Sequence, residues 1–136
     1  MFLGEYKAKF SGQGRLILPK KLREDILGKR IILSRGFEGC IWGFDVSAFE
    51  KEAGKQLEIS VTEERARFLR RYLFSLSVSA ELDKQGRFII PLTLLIYAKI
   101  RQELVIIGAG DHFEIWDNKL WENHLREIER DYGRVS

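Results

Sequence analysis

Two stretches of the chain combine residue types in an order that could do chemistry. They are Gln13-Gly14-Arg15-Leu16-Ile17-Leu18-Pro19 and Gln85-Gly86-Arg87-Phe88-Ile89-Ile90-Pro91, displaced by 72 positions. Glycine lets the backbone turn with φ > 0. The arginine that follows is then held at the rim of the turn, where its guanidinium presents a rigid fork of N–H donors. Such a fork suits a phosphate or the O6/N7 edge of guanine. In the second copy Asp83 lies four residues before Arg87 and could orient its guanidinium across the turn by a bidentate pair. The alternative is that the pair merely closes a hairpin. Ser11 takes the place of that aspartate in the first copy, which leaves Arg15 freer to meet a ligand.

Other reactive side chains lack the company that catalysis requires. His112 and His124 have no cysteine or carboxylate at metal-ligand spacing, so no metal site is expected. Cys40 sits between Gly39 and Ile41 in an apolar run and reads as a buried, inert thiol. Gly108-Ala109-Gly110 is half of a dinucleotide fingerprint and falls in a loop between strands. Trp42 and Trp116 hold equivalent places in the two repeats, which points to core packing rather than base stacking. No acid/base pair or activated nucleophile stands out, so neither an enzyme nor a cofactor is expected.

The elements that must position the two turns follow from periodicity. Residues 5–10 alternate, with Tyr6, Ala8 and Phe10 on one face and Lys7 and Lys9 on the other, predicting a half-buried strand. The turn 11–14 leads into a returning strand over 15–18. Pro19 then opens a short helix with Leu22 and Ile26 inward and Lys20, Lys21 and Arg23 outward. Strands are expected at 31–33 and 40–44, and Ser47 with Glu50 forms a capping-box signature for a helix that follows. A second helix, starting near Ser60 or Thr62, carries Ala66, Leu69 and Leu73 on one face. Arg67, Arg70 and Arg71 form another, which could touch phosphates but is read as solvated or paired with neighbouring carboxylates. The pattern then recurs: strand 78–82, turn 83–86, strand 87–90, a helix from Pro91, strands 104–107 and 113–116. Asp117 or Asn118 caps a terminal helix striped with Leu120, Trp121, Leu125, Ile128 and Tyr132. The expected class is α+β and β-rich, built by duplication. The expected division is repeat 1 at 5–48, a helical connector at 49–76, repeat 2 at 77–120, and a C-terminal helix and tail at 121–136.

Composition bounds the remainder. With 136 residues, 45% of them hydrophobic, a packed core is expected. Each repeat has only about forty residues, too few for a self-sufficient core, so the copies must share one or assemble with other subunits. A single cysteine excludes an intrachain disulfide. No apolar run approaches the roughly 20 residues of a membrane-spanning helix, and the N-terminus lacks a signal-peptide pattern, so an intracellular soluble protein is expected. The net charge is +3, yet residues 1–35 alone carry +6 and the remainder −3. That asymmetry suggests either a basic face for nucleic acid or a solvated surface.

Around these residues the chain resembles a known family. Met1-Phe2-Leu3-Gly4-Glu5-Tyr6, the two Gly-Arg…Pro stretches and Glu81-Leu82-Asp83-Lys84-Gln85-Gly86-Arg87 are similar to the bacterial MraZ transcriptional regulators, of the AbrB/SpoVT-like swapped-hairpin superfamily. The resemblance spans nearly the whole chain. It implies two tandem swapped-hairpin repeats forming a pseudo-symmetric β core with peripheral helices. It also implies a homo-oligomeric ring that docks on short direct repeats in double-stranded DNA. The regulated genes would be the division and cell-wall cluster that encodes the protein, and the location cytoplasmic and nucleoid-associated. Asp83 and Arg87 match the family's Asp-x-x-x-Arg, whereas Ser11 departs from it beside the retained Arg15. DNA contact would then rest on Arg15, Gln13, Arg87 and Lys84, with Lys7, Lys9, Lys20, Lys21 and Arg23 added from charge placement. The other readings are an antitoxin-like module and a structural ring, each binding a protein partner rather than DNA.

Overall fold

Strand-forming triplets too short to be stable alone must find partners elsewhere in the chain, and here they find them in the other repeat. The computed structural model describes residues 1–135. Repeat 1 supplies β1 (Glu5–Lys9), β2 (Arg15–Ile17), α1 (Lys20–Arg23), β3 (Arg30–Arg35) and β4 (Ile41–Asp45). Two helices follow, α2 (Val46–Leu57) and α3 (Glu64–Phe74). Repeat 2 supplies β5 (Val78–Glu81), β6 (Arg87–Ile89), α4 (Leu92–Ala98), β7 (Glu103–Gly108) and β8 (Phe113–Asp117), followed by α5 (Asn118–Val135). The architecture is α+β and β-rich, as the periodicity and the resemblance imply.

The repeats interleave. A six-stranded antiparallel sheet runs β1-β7-β8-β4-β3-β5, an order that reads the same from either end when each strand is exchanged for its counterpart. β1 of the first repeat pairs with β7 of the second, and β5 of the second pairs with β3 of the first. The short β2 and β6 pair only with each other, as a two-stranded ribbon with Leu16 opposite Phe88. The returning-strand expectation therefore needs correction. β2 follows a turn after β1 but forms no ladder with it; only the bonds Ser11 N–H to Arg15 O (2.9 Å) and Arg15 N–H to Gly12 O (3.3 Å) close that turn.

One core serves both halves. Leu16, Leu18, Leu22, Ile31, Leu33 and Ile41 pack in a single cluster with Phe88, Ile90, Leu94, Leu104, Ile106, Phe113 and Ile115. Full burial of each such side chain stabilises by roughly 1.5–3 kcal/mol, which neither repeat could collect alone. Phe2 joins the cluster because the N-terminal segment bridges Gly110, with Phe2 N–H donating to Gly110 O at 2.7 Å. Both prolines stand at the helix cap in extended backbone rather than at the first helical position.

Two local expectations shift. α2 starts at Val46 with Asp45 at its cap, and Ser47 lies in the first turn with its hydroxyl donating to Asp45 Oδ2 at 2.7 Å. α3 starts at Glu64, later than the capping signals suggested. Its arginine face is neither solvated nor paired with carboxylates throughout. Arg70 Nη2 donates to Ile59 O (2.6 Å), and Arg67 Nη1 donates to Val61 O (3.0 Å) and Thr62 O (2.9 Å). Carbonyls past the end of a helix have no intrahelical donors, and a guanidinium from the next helix can satisfy them. Among the described residues, no helix is long and apolar enough to cross a membrane.

Candidate nucleic-acid interface

The β2–β6 ribbon brings the two Gly-Arg turns to one surface. Alternation puts Leu16 and Phe88 inward and leaves Arg15, Ile17, Arg87 and Ile89 on the outer face. Arg15 lies opposite Ile89 and Arg87 opposite Ile17, so the face is a two-by-two checkerboard of arginine and isoleucine. The arginine Cα atoms sit on a diagonal, roughly 7–8 Å apart in such a ladder. Arg15 and Arg87 also line one open cleft of about 440 Å³, walled by Ser79, Glu81, Asp83 and Ile89.

Backbone geometry makes the turns near copies. Leu18 N–H donates to Gly86 O at 2.9 Å, and Ile90 N–H donates to Gly14 O at 2.8 Å, so each turn is tied to the strand end of the other repeat. Gly14 and Gly86 have φ of 68° and 81°. A side chain there would be strained and would also meet Ile90 O in the first turn or the Arg23 guanidinium in the second.

Electrostatics separate the two. Asp83 Oδ1 accepts the backbone N–H of Gln85 and of Arg87, both at 2.9 Å, and Oδ2 accepts Arg87 Nε at 2.6 Å. These bonds, led by the one from the Arg87 backbone, hold the Asp83 carboxyl below the usual carboxylate value. Among the described residues, the Arg15 side chain has no hydrogen bond or ion pair; Ser11 stands where Asp83 stands in the second turn.

The remaining expected cations are spread more widely. Arg23 is half-buried against Gly86 rather than pointing outward, and its Nε is buried without a hydrogen-bond partner. With Lys84 and Lys29 it lines a second cleft of about 470 Å³, which Glu81 and Asp83 also border. Gln13, Lys20 and Lys21 are exposed beside the first turn and on α1. Lys7 and Lys9 are exposed on β1, at the edge of the large sheet, and line neither cleft. Lys29, Ile17 and Ile89 are the additions the sequence reading missed. The two isoleucines carried a signal, because both sit at the outward position of a triplet whose middle residue is buried.

The other functional candidates take structural places. Cys40 is fully buried, its thiol donates to Phe37 O at 3.3 Å, and burial pushes its pKa up, as expected of an inert thiol. Trp116 is buried and Trp42 half-buried; Trp42 packs on Phe37, Phe44 and His112.

The sequence matches the family model described as "MraZ protein, putative antitoxin-like" twice, over residues 1–72 and 73–132. It is 38% identical to the Transcriptional regulator MraZ of Finegoldia magna over 136 residues, covering 100% of this chain and 94% of that one. The protein of the same name from Lactiplantibacillus plantarum is 36% identical over 136 residues, with 100% and 96% covered. The one from Halothermothrix orenii is 35% identical, with 100% and 94% covered.

Proposed function

The chain belongs to the MraZ family, and from that membership we propose that it is a transcriptional regulator that recognises double-stranded DNA through the outer face of the β2–β6 ribbon. The observation that carries the proposal is the checkerboard of Arg15, Ile17, Arg87 and Ile89. The major groove admits a two-stranded β-ribbon. Arginine can form a bidentate pair with guanine there, and an apolar side chain can contact the thymine methyl. Lys84, Arg23, Lys20, Lys21 and Gln13 flank the ribbon as phosphate contacts, with Lys7 and Lys9 further out on β1. Such contacts position the protein without reading sequence. No cofactor enters this reaction-free function.

A single ribbon covers few base pairs. The proposed working form is therefore a ring of subunits on short direct repeats, in which linked weak contacts gain by avidity. Exposed apolar side chains on separate elements, Phe68 on α3 and Leu92 and Ile96 on α4, support such assembly. The proposed target is the division and cell-wall gene cluster that encodes the protein, read in the cytoplasm at the nucleoid.

The test is binding of the wild-type chain and the double variant Arg15→Ala/Arg87→Ala to the DNA upstream of its own gene and to a scrambled duplex, across a salt series. Tighter binding of the upstream duplex by the wild type, lost in the double variant, is the expected outcome. Equal binding of both duplexes with only a steep salt slope would sink the reading. An antitoxin-like or structural ring that binds a protein partner would then take its place.

A further inference from the structure

The two turns repeat each other in backbone and differ in what holds the arginine. At the second turn Asp83 takes three bonds, two from backbone N–H groups and one from Arg87 Nε. Among the described residues the guanidinium is bound through Nε alone, which leaves both of its terminal nitrogens uncommitted. Those two nitrogens are the pair whose spacing matches O6 and N7 of guanine. At the first turn Ser11 leaves Arg15 without any such restraint. A pre-oriented fork loses little rotamer freedom when it pairs with a base edge, whereas a free arginine must be ordered first. A free arginine is still attracted to a phosphate, because that attraction depends weakly on orientation.

The flanks differ in the same sense. Arg23 of α1 lies against Gly86, its Nε unpartnered, with Lys84 and Lys29 lining the same cleft and Glu81 opposing them. The counterpart of Arg23, 72 positions on, is Leu95, which packs against Gly14. Where α1 begins with Lys20 and Lys21, α4 begins with Leu92 and Thr93. The second turn thus has a braced arginine and extra cations, and the first has a loose arginine beside an apolar wall.

We infer that each subunit reads bases through its second turn, with Arg87 as the reading residue and Asp83 as its positioning residue, while Arg15 contacts the sugar–phosphate backbone. The inference rests on the DNA-binding reading given above.

Charge and orientation predict opposite signs, which makes the test decisive. Asp83→Asn removes a negative charge beside the DNA face. On electrostatics alone it tightens binding to any duplex. As loss of positioning it lowers the preference for the upstream duplex over the scrambled one. The expected result is a preference reduced roughly tenfold, with affinity for the scrambled duplex unchanged or tighter. Asp83→Ser serves as the second variant, because the chain already folds with serine at the equivalent place in the first turn. Arg87→Ala should lose the preference, whereas Arg15→Ala should weaken both duplexes alike and lower the log–log salt slope by about one. Ser11→Asp adds negative charge and should nonetheless raise the preference, by bracing Arg15 as Arg87 is braced.

An unchanged preference in both Asp83 variants overturns the inference. So does a preference abolished by Arg15→Ala and spared by Arg87→Ala. A wild-type chain with no preference for the upstream duplex defeats the DNA reading itself, and the inference with it.

Discussion

The imidazole of His112 packs against the rings of Trp42 and Phe44, at centroid distances of 5.1 and 5.4 Å. Nδ1 faces Asp111 Oδ1 at 2.7 Å and Nε2 faces Glu114 Oε2 at 3.1 Å. Burial pulls its pKa down, but the bonds to Glu114 and Asp111 outweigh that and raise it above the ordinary histidine value. Glu114 shows the converse: burial raises it, and the bonds from His112 and Trp116 bring it below the usual value. The contribution of His112 is fully present below its unfolded value of about 6.5 and is lost as pH rises through the raised folded value. The melting temperature of the wild type should therefore exceed that of His112→Gln most at about pH 5.5 and least at about pH 8.5. A difference independent of pH across that range would contradict the assignment. The carboxylates of this site, Asp111 and Glu114, are sequence neighbours of His112, but its aromatic wall comes from distant β4 and was not legible. The Asp83–Arg87 pair was legible, since a turn of four residues is a local object, but not its form: one bond through Nε replaces the expected bidentate pair, because Asp83 Oδ1 is taken by two backbone N–H groups.

At the level of elements the ribbon is the least substantial piece and the most constrained. β2 and β6 have three residues each, and their hold on the core rests on Leu16 and Phe88, directly opposed and both almost wholly buried. Leu16→Ala should cost about 2–5 kcal/mol and Phe88→Ala about 3–5 kcal/mol in chemical denaturation. The double variant should fall short of the sum, because the two side chains share one contact. Full additivity would mean that the ribbon does not pack as a unit. The apolar triplets announced two buried strands, but three residues carry no register information, so the identity of the partner was invisible. Likewise the arginines of α3 formed a clear stripe, and nothing in that stripe could reveal that their acceptors are main-chain carbonyls following α2. The α2 start was displaced because Asp45 stands at the cap, which leaves Ser47 in the first turn with its hydroxyl donating to Asp45 Oδ2.

For the whole molecule the governing fact is the exchange of strands between repeats. Neither repeat owns a complete sheet, and a single core draws on both. The surface that remains is unevenly apolar: Phe68, Leu92 and Ile96 are each about two-thirds exposed. The ring proposed above would close by head-to-tail contact between unlike patches. Phe68→Glu and Ile96→Glu should therefore each lower the mass measured in solution by light scattering, with helix and sheet content retained in circular dichroism. An unchanged mass in both variants would remove these side chains from the subunit interface. The exchange also has a consequence for how the protein is made. β2 leaves the ribosome long before β6 has been translated, and the closure of so distant a pair is slow compared with local helix formation. During that interval the emerging chain has the first arginine-bearing turn but no ribbon to display it. On the proposed function, a message that ends between the repeats would yield a fragment without the β2–β6 face, and interrupted synthesis would leave DNA unread rather than occupied by a half-regulator.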